Sequence, residues 1–185
     1  MNCGIGRTVH TIGHSTRGIE DFTALLKTHT ITLVVDVRRW PASRRYPHFC
    51  REALVEYLSN QSIDYCWRED LGGFRKPSGD SQNTAWKVGA FRAYADFMLT
   101  HEFETAMQEM EQLVANDRMV IMCAEALPWQ CHRQLLADAF LVRGFSVRHI
   151  MDDGCHAHSL PPFAMPKGTK IFYPASPQLE LTRQR

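Results

Sequence analysis

Short apolar runs and helix-spaced apolar stripes alternate along the first 150 residues of this chain, which predicts strands alternating with helices. Val9 to Ser15 reads as a first strand ending in Gly-His-Ser, and Ile19, Phe22, Leu25 and Leu26 mark one face of a helix begun near Gly18. Ile31 to Val37 has the β-branched apolar centre of a second strand, and Pro41 and Pro47 end regular structure after it. Leu54, Tyr57 and Leu58 predict a helix over Arg51 to Asn60, and a third strand follows around Ile63 to Trp67. Phe91, Tyr94, Ala95 and Met98 predict one further helix, and Phe103, Met107, Met110 and Leu113 another. Arg118 to Cys123 is a strand buried on both faces, Gln130 to Arg143 a helix stopped by Gly144, and Ser146 to Met151 a final strand. Thr169 to Tyr173 has the composition of a short edge strand in a tail where Pro161, Pro162, Pro166, Pro174 and Pro177 exclude a long helix.

This order specifies an α/β fold: a mostly parallel open sheet with helices on both faces, a Rossmann-like three-layer sandwich. The chain reads as one α/β domain over residues 1–185 with an irregular Pro-rich tail from about 155. Lys76 to Gly89 has turn-forming composition, little periodicity and more length than a simple connection, so it is expected to be a lid over the site or a mobile insertion.

Composition narrows the function. Hydrophobic residues make up 44% and charged residues 22% of the 185, with 21 Lys plus Arg against 20 Asp plus Glu. Such balance gives no global basic field for nucleic acid or membrane, so an electrostatic partner has to be recruited locally. The opening MNCGIGRTVH lacks a signal-peptide core and no long apolar run is present, so a cytoplasmic protein with reduced thiols and no membrane association is expected. The six cysteines, at positions 3, 50, 66, 123, 131 and 155, include no C-x-x-C pair, against a zinc ribbon or thioredoxin-type motif.

If the strands run parallel, their carboxyl ends gather Gly13-His14-Ser15, Asp36 to Arg45, Asp70 to Gly73 and Cys123 to Arg133 along one edge, where open α/β sheets bind ligands. Cys123, between strand and helix, is the leading reactive thiol, although a free cysteine can also simply fill a core. Cys131 is a second candidate at the start of the helix. The phosphatase-like and rhodanese-like spacings are absent, since Trp129 stands sixth and Pro128 fifth after Cys123. Glu125 and Asp36 suit general acid or base work or an ion pair with arginine, and His14 and His132 suit proton transfer or metal binding. The set His14, Cys123, Cys131 and His132 has the atom types for zinc. If Cys131 and His132 were both helical, however, they would point about 100° apart, and no metal is assigned.

Arg38, Arg39, Arg44, Arg45 and Arg51, interleaved with Trp40, Tyr46 and Phe49, form the strongest local charge feature and suit phosphate and stacked bases. Gly72 and Gly73 would let backbone amides approach an anion, or simply make a turn. The near-zero net charge favours a small anionic or nucleotide-like ligand over extended nucleic acid.

Together Thr11-Ile12-Gly13-His14-Ser15, Val35-Asp36-Val37-Arg38, Ser43-Arg44-Arg45, Leu71-Gly72-Gly73, and above all Met122-Cys123-Ala124-Glu125 with Trp129-Gln130-Cys131-His132-Arg133, resemble domain-of-unknown-function family 488. The resemblance runs from the first strand through Val147 to Ile150 into the tail. It implies a compact bacterial-type α/β domain with two recurring cysteines, and it carries no established activity with it. The chain departs from the family pattern at Leu127, where the family often has a polar residue, and in a longer loop around Ser78 to Val88.

The resulting expectation is an enzyme acting on a phosphate-bearing or nucleotide-like substrate. Its catalytic group is Cys123, Glu125, Cys131 and His132. Its ligand-binding group is His14, Ser15, Asp36, Arg38, Arg44, Arg45, Gly72, Gly73 and Arg133, with Arg38, Arg44 and Arg45 on the anion and His14 or Asp36 handling a proton. The alternatives are a thiol-redox or metal-binding sensor and a non-catalytic module that docks nucleic acid or protein. The sequence specifies no cofactor, reaction or oligomeric state.

Overall fold

A computed structural model describes residues 7–175; Cys3, with the rest of the opening hexapeptide, and Pro177 lie outside the described residues. Among the described residues, eight strands and five α-helices follow in the order β1 (Thr8–Gly13), α1 (Ile19–Thr28), β2 (Leu33–Asp36), α2 (Arg51–Ser59), β3 (Asp64–Trp67), α3 (Gly89–Phe97), α4 (His101–Asn116), β4 (Met119–Cys123), α5 (Arg133–Val142), β5 (Ser146–Met151), β6 (Gly154–Ala157), β7 (Met165–Lys167) and β8 (Lys170–Phe172). Six strands form one sheet in the order β3-β2-β4-β1-β5-β6. All neighbours are parallel except β6, which returns antiparallel to β5.

Helices cover both faces. Phe22 and Leu26 of α1 and Leu54 and Leu58 of α2 pack with Ile12, Val34, Val120 and Met122 on one side. Tyr94 of α3, Phe103, Met107 and Met110 of α4, and Leu135, Leu136 and Phe140 of α5 pack with Val9, Val35 and Ile121 on the other. The fold is therefore the α/β sandwich that the strand and helix alternation predicts. Every residue of β4 is buried, as its unbroken apolar run requires of a strand covered on both faces. α4 begins where Thr100 accepts a hydrogen bond from the Phe103 amide at 3.2 Å, with Glu102 and Glu104 in its positively polarised first turn.

The strand order locates the site. β1 leads into α1 on one face, whereas its neighbour β4 leads into α5 on the opposite face. Connections that diverge in this way leave a crevice at the strands' carboxyl ends. Register places Gly13 of β1 beside Cys123 of β4, and Asp36 of β2 beside Met122.

Beyond β5 there is more regular structure than the sequence suggested. β6 extends the main sheet, and the strand expected over Thr169 to Tyr173 is Lys170–Phe172, paired with Met165–Lys167 in a separate two-stranded ribbon. Tyr173, fully buried, donates to Asp138 at 2.7 Å. The irregular segment before α3 is not a cover for the crevice. Its buried Asn83 donates to Asp96 at 2.8 Å and accepts from the Tyr173 amide at 2.9 Å, so its middle is tied to the tail side of the molecule. Among the described residues no helix is long and apolar enough to cross a membrane.

Candidate functional site

The crevice opens from a junction of backbone hydrogen bonds between the ends of β1 and β4. His14 N donates to Cys123 O and Ser15 N to Ala124 O, each at 2.9 Å. Gly13 allows this closeness, because a Cβ there would stand 1.8 Å from Glu125 O. After Glu125 the chain makes a short 3-10 turn at Pro128–Gln130, extends at Cys131 (φ −134°, ψ 146°) and reaches α5 at Arg133. Cys131 and His132 thus precede the helix. The expected divergence of about 100° on a helix does not arise, and Cys131 Sγ lies 3.7 Å from His132 Nδ1.

Both thiols are buried, Cys123 at 7% and Cys131 at 3% exposure. The Cys131 thiol donates toward Cys123 and, against the opposing effect of burial, holds it well below the ordinary thiol range, with His132 and the Arg133 guanidinium adding to the effect. Cys131 moves the opposite way, pushed up by its bond to Cys123 and by burial. The two thiols are thereby pushed in opposite directions, Cys123 toward the thiolate and Cys131 toward the thiol. The Arg133 amide donates to Cys131 Sγ at 3.4 Å. The ligand atoms of Cys123, Cys131 and His132 lie within 4.8 Å of one another, a two-thiol and one-imidazole set suited to a soft or borderline cation.

A cavity of about 360 Å³ opens onto these thiols. Its polar lining includes His14, Arg38, Arg39, Glu125 and His132, and its aromatic lining Trp40, Phe74, Phe91 and Tyr94. Of the residues expected at the site from sequence, Cys123, Glu125, Cys131, His132, His14, Arg38 and Gly73 meet here. Ser15, Asp36, Arg44, Arg45, Gly72 and Arg133 do not line it.

Their placements have physical reasons. Asp36 is fully buried and accepts from the Arg38 amide and guanidinium and from Tyr65 OH at 2.6 Å, which leaves it no role in moving a substrate proton. Arg38 also donates to Phe49 O at 2.9 Å, and the Asp36 carboxylate neutralises its cation inside the protein. His14 rests against Phe49 and donates through Nδ1 to Ser15 O at 3.0 Å, while Nε2 faces Arg38 at 3.3 Å. Burial, with Arg38 adding to it, lowers its pKa to about 4, so the ring is neutral near pH 7. Arg44 and Arg45 are exposed, and Arg45 sits over the Tyr46 ring. Arg133, 1% exposed, donates to the carbonyls of Glu125 and Ala126 and so braces the loop behind the thiols. A Cβ on Gly72 would meet Glu69 O at 2.9 Å, and one on Gly73 would meet His132 Nδ1 at 3.2 Å; these glycines let the chain pass close to the site's own residues.

The family model described as "Domain of unknown function DUF488" matches residues 18–140. The chain belongs to this family. In this DUF488 chain the match takes in both thiols, Glu125 and all four residues of the aromatic wall; β1 with His14 precedes it, and β5 to β8 follow it. No curated protein and no solved structure matches the chain.

Sequence reasoning missed Phe74, Phe91 and Tyr94 as site residues. Phe91 and Tyr94 carried the signal of an apolar helix face, and Tyr94 does pack in the core, its OH donating to Leu71 O at 2.8 Å while its ring stands 5.0 Å from His132. Phe74 had one available signal, an aromatic directly after Gly72-Gly73.

Proposed function

We propose that this DUF488 chain is an enzyme whose reactive group is the Cys123 thiolate, acting on a small ligand in the crevice between β1 and β4. The observation that carries this reading is the pair of buried thiols lining the cavity beside His132, where the Cys131 donor, His132 and Arg133 favour the thiolate form of Cys123. A thiolate is the nucleophilic form of cysteine, and a charged sulfur held in a buried place contributes nothing to packing that a neutral thiol would not. In this scheme the Cys123 electron pair forms a bond to an electrophilic atom of the ligand, and Glu125, exposed on the same lining, exchanges the proton with the group that receives the displaced pair. Cys131 and His132 hold the thiolate before attack.

The test is acidity and turnover together. Cys123 alkylates well below the pH of an ordinary thiol, and Cys123→Ser abolishes any activity found by substrate screening while leaving the fold intact. An unreactive Cys123 in metal-free protein would end the nucleophile reading.

A second reading has its own observation, the clustering of the Cys123, Cys131 and His132 ligand atoms within 4.8 Å. Three such donors suit Zn²⁺ with one position left for a ligand. Under this reading purified protein carries about one equivalent of metal, and both thiols resist alkylation until a chelator is added.

A further inference from the structure

Phe74 has a side chain and a backbone for which the fold supplies no reason. Its ring is 80% exposed, and its backbone lies in the left-handed region at φ 59°, a strained place for a bulky residue. Glycine would adopt that conformation freely, and the two preceding residues are glycines. The ring lies 4.8 Å from that of Trp40, which is itself 63% exposed. These aromatics come from different loops, one after β2 and one after β3, and both line the Cys123 cavity. Other large exposed apolar side chains, such as Val55, Val88 and Met165, are not in its lining. Strain and exposure thus coincide at the cavity mouth, where an occupant would cover the rings.

The surroundings narrow that occupant. Aromatic character continues inward through Phe91 and Tyr94, so the cavity favours a flat ring lying against π-faces. Arg38 offers no free charge, since Asp36 neutralises it. Arg39, adjacent to Trp40, is different: 39% exposed, it lines the cavity and, among the described residues, pairs with Glu69, itself 45% exposed, at 3.1 Å. A cation at the lip outside an aromatic interior matches a planar ring with an anionic arm.

We propose that the cavity binds a planar heteroaromatic ring with an anionic arm, of the nucleotide type, the ring lying against Trp40 and Phe74 and the anion at Arg39. The proposal rests on the reading of this cavity as the substrate site, and it specifies the class of substrate.

The test uses the full chain and the 5′-ribonucleoside monophosphates with their parent nucleosides, read by saturation-transfer NMR and titration. Ring protons of at least one monophosphate receive saturation from the wild-type protein. Phe74→Gly weakens that binding by roughly tenfold or more, the scale of one lost stacking contact, while its urea midpoint is unchanged or raised because the strained residue is gone. Arg39→Ala weakens the monophosphate and leaves the nucleoside as it was. The proposal is overturned if none of these ligands binds, if Phe74→Gly binds like wild type, or if Phe74→Gly unfolds markedly more easily, which would give the ring a structural role. Binding is also measured in Cys123→Ser, where it persists. Loss of the thiolate reading, seen as unreactive Cys123, is thereby separated from loss of the ring-binding proposal, seen as absent saturation.

Discussion

Replacing Asp36 by Ala should destabilise the protein severely although the residue touches no ligand. Asp36 is fully buried and Arg38 is 5% exposed, and the guanidinium directs Nε and Nη2 at the carboxylate, with Nη2 to Oδ2 at 2.5 Å. Without the carboxylate, the Arg38 charge keeps, among the described residues, Phe49 O and the His14 ring, and Tyr65 OH and the Arg38 amide lose their acceptor. A buried charge left without its partner costs about 3–5 kcal/mol, a large part of the 5–15 kcal/mol typical of a folded domain. Arg38→Met strands the carboxylate in the same way. The double variant Asp36→Leu/Arg38→Met strands neither charge, so its loss falls short of the sum of the single losses by about 2 kcal/mol or more. The assay is urea unfolding of wild type and all three variants, repeated in high salt, which screens a pair this deeply buried very little. Single losses below about 1 kcal/mol, or strict additivity, would refute the argument that burial makes this pair indispensable once present.

Gly13→Ala places a Cβ 1.8 Å from Glu125 O, a backbone atom that cannot swing aside, so the variant loses about 3 kcal/mol or more and the Cys123 loop shifts; urea unfolding and the alkylation rate of Cys123 report the two effects. His149 is held neutral by burial, with His158 and Arg133 adding, its pKa lowered from 6.5 to about 3. Below pH 6.5 the unfolded chain binds a proton there that the folded chain refuses, so stability falls as the pH drops. From this residue the fall from pH 7 to pH 5 is about 2 kcal/mol, and His149→Gln flattens that part of the urea-midpoint profile.

The fold was legible because its signals were local and repeated. The apolar run of β4 and the stripe Phe103, Met107, Met110 in α4 need no tertiary information to be read as strand and helix. The gathering of His14 and Cys123 was also legible, since parallel strands force their carboxyl ends together. Charge was read less well, because composition cannot tell a free arginine from a neutralised one. Arg38 and Arg44 look equivalent in sequence, yet one is locked to Asp36 two residues before it and the other faces solvent. Cys131 and His132 illustrate the cost of a boundary error: with the helix start set three residues early, two side chains that converge were expected to diverge. Phe74 was hard to read for another reason: a left-handed backbone at a non-glycine residue leaves no mark in the sequence, and its place after Gly72-Gly73 was a weak signal.

The most direct test of the central claim is the alkylation rate of Cys123 in native, metal-free protein as a function of pH, read by peptide mass spectrometry in wild type and Cys131→Ala. The account predicts fast modification well below pH 8.5, the ordinary thiol value, and a profile displaced to higher pH when the Cys131 donor is removed. A Cys123 that titrates as an ordinary thiol, or whose profile ignores the loss of Cys131, would contradict it.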